Sequence, residues 1–500
     1  MILMIITFLT VPVYVNILGL ERYGLLSLLS AILTPVTVFN VGVTQATVKF
    51  VASYAVANQQ VKARGCVMAS LLINTGIGLM GLLFCFFASD LLHRFNLKIS
   101  PSLMSEAESS LQLMGLQWLF SLISGTFRGV IEGLRDQRNV FFGDFLNTAL
   151  TAAFCITLTL STQNLLGYLT GQLIVSLIMT TYWWRQSVRA LHELPLRWDE
   201  IRRGISQVFH FSFWQTVNAM VAVLANVGDK FFIGIFLSAV TLGAYNIALR
   251  IQSIARLSFY SVNQALFPAA SASVAQLGAS EALVVRTTWH VSFFAGIALA
   301  VIALSAPSFL ELWVGAEVSQ MAGIPLRILI LTLLFEIPSA TGSSYLNAQA
   351  MTRLTAFNNF TTTLLTLALI FLLGVRFADT GVALSGLLGL AITRMPFHSW
   401  MHARFFTKYV SRTEFLHAFY GVGFCCIAGV LVIFPLFDLI YSSLRGYTGF
   451  LLAFTVSVPL LLLFIFTAVR FCLRDFQRIE EIHRVVKAAY SRLLLPLIER

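Results

Sequence analysis

Fourteen runs of about 20 apolar residues, joined by short polar links, leave this chain one kind of surroundings in which to fold. The runs lie near 2–18, 24–43, 66–88, 110–130, 141–161, 164–184, 209–237, 244–268, 288–314, 325–347, 355–375, 380–400, 416–440 and 447–469. An α-helix needs roughly that length to cross about 30 Å of hydrocarbon, where every backbone N–H and C=O must be satisfied within the helix. Composition agrees, with 58% hydrophobic and 11% charged residues, against roughly 45–50% and about 25% in soluble domains. A β-barrel would need alternating strands of about ten residues, and the sequence lacks that pattern. The expected fold class is an all-α integral membrane protein of about 14 transmembrane helices.

Lysine and arginine in the links set the orientation, because the cytoplasmic side retains them. Of the 33, twenty-four fall in the even-numbered links, the adjoining span ends and the tail, and five (Arg22, Arg94, Lys98, Arg376, Arg445) in the opposite links. Both termini are therefore expected in the cytoplasm. The net charge of +11 reads as topology signal and contact with anionic lipid rather than a nucleic-acid footprint. The stretch from Arg470 to Arg500 mixes Ile479, Ile482, Val485, Val486 and Tyr490 with basic residues, as in a helix lying on the membrane surface. Cys66, Cys85, Cys155, Cys425, Cys426 and Cys472 sit in or beside spans without metal-ligand spacing and read as small buried apolar residues. Met1 opens directly into an apolar run with no basic flank or cleavage site, which is not a cleavable signal and suggests a late start in the reading frame.

The halves of the chain echo each other. The second span starts at Tyr23 and ends near Gln45-Ala46, and the eighth starts at Tyr245 and ends near Gln264-Ala265. Leu119-Phe120 in the fourth span corresponds to Leu334-Phe335 in the tenth, and Arg138 to Arg353. Six spans separate the copies, so both enter the membrane in the same direction. A parallel repeat of this kind implies two six-helix lobes related by a pseudo-two-fold axis along the membrane normal, with a site at their interface. The expected organisation is an N-terminal lobe over 1–185, a cytoplasmic link over 186–208, a second lobe over 209–403, two added helices over 404–469 and a basic tail over 470–500.

Helical spacing marks the inward faces. Gln215, Asn218, Ala222, Ala225 and Asp229 recur at intervals of three and four along the seventh span. Ser27, Ser30, Thr34, Thr37 and Thr44 do so along the second, where close packing and hydroxyl-to-carbonyl bonds are the plainer explanation. The eighth span carries Asn246, Arg250, Ser253, Ser261 and Gln264 on one face, and Gln252, Arg256, Tyr260 and Asn263 on the next. A mid-span arginine costs at least ~2.5–3.5 kcal/mol unless it meets water or a partner, so Arg256 is expected to face a hydrated cavity. Asp229 and Lys230 diverge by about 100° around their helix and so serve different partners. Asp229 is expected to meet Arg250 or Arg256, and Lys230 to flank the cavity or snorkel. Glu336, midway along the tenth span beside Pro338, is a candidate proton-binding group. Asp144 should cap or pair locally and Arg327 should snorkel. Pro12, Pro35, Pro268, Pro325, Pro338 and Pro435 offer local helix breaks and hinges.

These residues carry a family resemblance. Glu21-Arg22-Tyr23-Gly24, then Asn40-Val41-Gly42-Val43, and later Asp229-Lys230-Phe231-Phe232, Gly243-Ala244-Tyr245-Asn246 and Ala265-Leu266-Phe267-Pro268 resemble the polysaccharide flippases. These are the O-antigen and exopolysaccharide exporters of the multidrug/oligosaccharidyl-lipid/polysaccharide superfamily. The likeness runs from the first span to about Thr407 and more loosely over the last two. It implies two six-helix lobes around a cavity that alternates between membrane faces, plus two helices. It further implies a bacterial inner-membrane exporter that moves undecaprenyl-pyrophosphate-linked oligosaccharides among polysaccharide assembly proteins; a monomer is expected because the parallel repeat already supplies the cleft within one chain. On that implication Arg256, Arg250 and Lys230 attract the anionic headgroup. Asp229 and Glu336 serve ion coupling or cavity pairing, and Gln215, Asn218, Asn246, Gln252 and Asn263 line the cavity. The family's short basic segment before the first helix is missing here.

A drug/cation antiporter of the same superfamily would concentrate carboxylates in its lobes, whereas the deep charges here are mainly basic. A lipid II flippase of the same architecture differs only in motif resemblance. A polysaccharide polymerase would need a large external loop, and the longest external link spans only about Asp90 to Glu108. A major-facilitator transporter would show twelve spans and a signature that Val51–Gly65 lacks. No His/Asp/Glu constellation or metal-ligand spacing marks any link, so no catalytic residue, metal or cofactor is expected.

Overall fold

The computed structural model describes the backbone of residues 2–57, 59–94, 100–191, 198–273, 279–349 and 351–472. Side chains are described over the same residues except 2–5, 35–41, 89–94, 191, 211, 213–215, 217–227, 258, 260–273, 279–280, 282–283, 348, 352 and 471–472. The basic stretch of the tail lies almost wholly outside them.

Among the described residues the secondary structure is helical throughout, without strands. The helices are α1 (Ile2–Val56), α2 (Gln60–Arg94), α3 (Met104–Gly133), α4 (Gln137–Thr162), α5 (Leu165–Leu191), α6 (Trp198–Phe232) and α7 (Ala239–Ser273). They continue with α8 (Ala279–Trp313), α9 (Ala316–Ala348), α10 (Thr352–Met401), α11 (Arg412–Leu416), α12 (Val422–Leu444) and α13 (Gly446–Cys472). Two of these are double. α1 breaks at Gly19 (φ 76°, ψ 164°), and α10 breaks at Phe377 and Ala378 (φ 50°, ψ −135°). With both counted as two, and α11 as the lead-in to α12, the fourteen apolar runs each find a helix. Nine described helices are long and apolar enough to cross a membrane by length and composition alone. The chargeless link at Ser161–Asn164 is a genuine hairpin, closed by Gln163 at φ 52° between α4 and α5.

Packing divides the chain into two units, one of Met1–Ile251 with Leu367–Val382 and one of Gln252–Thr366 with Ala383–Arg500. In the first, α1 lies against α6, α2 and α3, and α3 against α5. Hydrocarbon offers no hydrophobic drive between helices, so van der Waals fit decides where they touch. Gly24 of α1 meets the start of α7, where a Cβ would fall 1.6 Å from the Ala239 carbonyl oxygen; a Cβ on Gly243 would fall 2.5 Å from that of Leu20. Only glycine permits this approach. Charges at helix ends are tied in the same unit. Glu106 takes Arg22 Nε at 3.0 Å and also accepts the Leu165 N–H at the start of α5. Arg128 forks onto Asp144 with two bonds of 2.9 Å and reaches Glu132, so Asp144 does pair locally.

In the second unit α8 packs along α9 and α12. Arg327 does not snorkel: its Nε donates to the Ala303 carbonyl, and its guanidinium lies 3.5 Å from the Phe434 ring centroid. An arginine with a carbonyl and an aromatic face within reach is held inward. The prolines also depart from expectation, since α9 runs on through Pro325 and Pro338 and α12 through Pro435. The bond that Pro338 omits leaves the Leu334 carbonyl without its backbone donor, while Thr341 Oγ1 donates to the Pro338 carbonyl itself. The actual breaks fall at Gly19 and Ala378. Cys66, Cys85, Cys155, Cys425 and Cys426 are buried and form no disulfide among the described residues.

Candidate functional site

Helix α7 begins in the first unit and continues into the second, so its residues are taken unit by unit. In the first, Asn246 donates Nδ2–H to Ser27 Oγ at 2.7 Å, and Ser27 in turn donates to the Tyr23 carbonyl. Asn246 is thus half-buried in a contact between α7 and α1, one turn from the glycine contact. The hydroxyls of Ser30 and Thr34 also close on their own helix, as packing alone would have them. Arg250, one turn beyond Asn246, is exposed and interacts electrostatically with Tyr23 and Tyr168. Among the described residues neither Arg250 nor Lys230 forms an ion pair.

Asp229 and Lys230 are both half-buried. Asp229 Oδ1 accepts the Lys230 backbone N–H at 2.8 Å, which turns the carboxylate along its own helix. Asp379 does the same at the α10 break, accepting the Thr380 N–H at 2.9 Å. Both carboxylates act electrostatically on Tyr245, which is 2% exposed. Two acids and a phenol from three segments therefore meet in one region of this unit.

In the second unit the charges pair otherwise than expected. Arg256 Nε stands 3.3 Å from Glu336 Oε1, with side-chain exposures of 33% and 19%. The arginine's ion-pair partner is thus the carboxylate of α9, not Asp229. The Arg256 Nε–H makes no hydrogen bond, since its contact with Glu336 is one of charge and not alignment. One turn earlier Gln252, expected to line a cavity, is 4% exposed and donates to the Leu329 carbonyl at 2.9 Å. Residues 252 and 256 share a face of α7, and 329 and 336 share a face of α9 two turns apart, so an amide and an ion pair fasten the same two helices. That helix contact consumes Gln252. Gln215, Asn218 and Asn263 lie outside the residues whose side chains are described.

The sequence reading missed Asp379 and Tyr168, and took Tyr23 and Tyr245 as repeat and motif markers rather than site residues. Asp379 follows a left-handed alanine in Phe377-Ala378-Asp379-Thr380-Gly381, which the hydropathy pattern treats as a link. Among the described residues no group of three or more His, Cys, Asp or Glu side chains stands ready to hold a metal ion.

Helices of this length and apolar composition mark a multi-pass membrane protein, and comparison with known proteins agrees in fold. The structure is similar to lipid II flippase MurJ in an inward closed conformation, at TM-score 0.72 and 14% identity, covering 95% of this chain and 98% of that one. It is similar to an inward-facing multidrug resistance MATE family transporter of the MOP superfamily, at TM-score 0.63 and 13% identity, covering 80% and 95%. It also resembles a MOP superfamily transporter from Pyrococcus furiosus described by the reverse polarity of its binding pocket, at TM-score 0.54 and 13% identity, covering 81% and 96%. No curated protein matches the sequence. The family profile "Polysaccharide biosynthesis protein" matches residues 1–274, and the chain belongs to that family.

Proposed function

We propose that this protein is a flippase that carries undecaprenyl-pyrophosphate-linked oligosaccharide units across the bacterial inner membrane by alternating access, with both termini in the cytoplasm. The observation that carries the proposal is Arg250, exposed on a polar helix face with no carboxylate paired to it among the described residues. An arginine held at membrane depth without a counter-ion favours an anionic cargo, and its planar fork suits pyrophosphate. Lys230, half-buried in the same unit, adds positive charge, while Arg256, less than two turns further along α7, is balanced by Glu336. The hydroxyl-bearing rings of Tyr23 and Tyr168 beside Arg250 suit the polar, ring-shaped sugars that follow the phosphates. Family membership supports the polysaccharide context. On this reading Asp229 and Asp379, near Tyr245, bind the coupling cation, a sodium ion or a proton.

A leaflet assay tests the proposal. Purified protein in liposomes is given an undecaprenyl-pyrophosphate glycan that an added enzyme reaches on one face only. The expected result is transport by the wild type and loss of at least about tenfold, the worth of one charge-assisted hydrogen bond, in Arg250→Ala and Arg256→Ala. Wild type that moves no lipid-linked glycan but expels an organic cation against a proton gradient would replace this reading with the antiporter one.

A further inference from the structure

Tyr168, near the start of α5, is fixed from three sides within the first unit. Its hydroxyl accepts the Gln172 Nε2–H at 3.0 Å, from one turn further along the same helix. Its ring meets that of Tyr14 on α1 edge to face, with centroids 5.0 Å apart and planes at 84°. Its backbone carbonyl accepts the Cys155 thiol of α4 at 3.4 Å. Hydroxyl, ring and backbone are thus each held by a different residue.

A phenol carries one proton and can donate as well as accept. Gln172 occupies the accepting side, and the Tyr168 hydroxyl makes no other hydrogen bond. Its proton is therefore left for something outside the chain. Three tyrosines stand together here, but Tyr14 and Tyr23 are 7% and 8% exposed, whereas Tyr168 is only half-buried. Tyr168 is the one of the three that presents surface. Arg250, exposed and without an ion pair among the described residues, acts on it electrostatically. A charged fork and a neutral donor therefore lie in one region of the unit, each with a hydrogen to give.

The two suit different oxygens. A guanidinium matches the charged oxygens of pyrophosphate. A phenol is a neutral donor, and in a lipid-linked glycan the neutral oxygens nearest the pyrophosphate belong to the first sugar. A donor fixed in advance loses little freedom when it binds. It also penalises a ligand that lacks the oxygen, because the donor then stays unanswered in a dry site.

We infer that Tyr168, positioned by Gln172 and Tyr14, donates its phenolic hydrogen to an oxygen of the sugar attached to the pyrophosphate, and so distinguishes a loaded carrier lipid from a bare one. The inference rests on the flippase reading above and adds a selection to it. Arg250 recognises what every carrier has, and Tyr168 recognises the glycan that makes the trip worthwhile.

The test uses the full-length protein in detergent and two probes, undecaprenyl pyrophosphate and the same lipid carrying one glucose. Native mass spectrometry reads the affinity for each. Wild type should prefer the glucosylated lipid. Tyr168→Phe, which keeps the ring against Tyr14, should lower that preference by about two- to tenfold, the range of one neutral hydrogen bond, and bind the bare lipid as wild type does. Gln172→Leu, which frees the hydroxyl to turn, should lose part of the preference. Arg250→Ala should weaken both lipids alike and keep their ratio. A purely structural Tyr168 would shift the thermal midpoint of Tyr168→Phe and leave the ratio untouched. Should Tyr168→Phe fail to fold, the ratio in Gln172→Leu decides alone. An unchanged ratio, or an equal loss for both lipids, overturns the inference and leaves the flippase reading standing. Wild type that binds neither lipid overturns both.

Discussion

How much arginine charge α7 offers a ligand depends on one carboxylate. Glu336 stands 3.3 Å from Arg256, whereas Arg250 forms no ion pair among the described residues. Glu336→Gln should therefore lower the unfolding midpoint in detergent, because a half-buried guanidinium loses its counter-charge. A polyprenyl pyrophosphate should restore part of that loss, which thermal unfolding with and without the lipid would measure. Arg250→Ala, by contrast, should leave the midpoint within about 0.5 kcal/mol of wild type, as for other exposed side chains. A second residue-scale effect lies at Ala378, whose φ of 50° and ψ of −135° suit glycine and cost other residues about 1–3 kcal/mol. Ala378→Gly should raise stability within that range, and a lower midpoint would mean that the turn is not strained. The Arg256 partner was not legible in the sequence. Spacing told that a mid-span arginine needs company, and the stripe containing Asp229 looked the nearest source. Glu336 lies 80 residues from Arg256, and only tertiary packing brings α9 to that face of α7. Asp379 escaped for another reason, since it sits at a break that hydropathy takes for a surface link.

At the level of elements, helix breaks and glycine contacts control the geometry. Apolar runs revealed all fourteen helices but not that α1 and α10 carry two each with no loop between them, because a single left-handed residue turns the chain without any polar signal. Prolines were the visible signal and the misleading one, as α9 and α12 run on unbroken through theirs. The approach of α1 to α7 gives two further predictions. Gly243→Leu should destabilise strongly, since even its Cβ would lie 2.5 Å from the Leu20 oxygen; a folded variant with a normal midpoint would show that these helices part easily. Ser27→Cys with Asn246→Cys, at the 2.7 Å bond, should cross-link on oxidation. If the contact opens during each cycle, transport in the leaflet assay should stop on oxidation and return with reductant.

For the molecule as a whole, the sidedness of the charges makes the clearest claim. Single cysteines in place of Arg353 and Arg445, both in exposed positions, should react with a membrane-impermeant maleimide from opposite faces of sealed vesicles. Arg353→Cys should label from the cytoplasmic side. Labelling of both from one side would refute the fourteen-span topology, whatever the cargo. Here the sequence was most informative, because hydrocarbon thickness constrains every span and leaves a periodic trace. It was least informative about the units. The boundary at Ile251 and Gln252 runs through the middle of α7, where no change of composition marks it.

Gly24 and Gly243 lie as far apart in the chain as Ser27 and Asn246, which are 219 residues from each other, and within each pair the residues touch. Corresponding positions of a repeat meet one another only where a two-fold axis passes. If the repeat arose by duplication, the ancestral half-length chain made this contact as a dimer, one residue against its own copy. Fusion freed the two sides to differ, and at 27 and 246 a serine came to face an asparagine. At 24 and 243 the freedom was never usable, since a side chain on either glycine has nowhere to go. Drift at one position of such a pair is licensed only by its counterpart, so in any set of relatives the two glycines should change together or not at all.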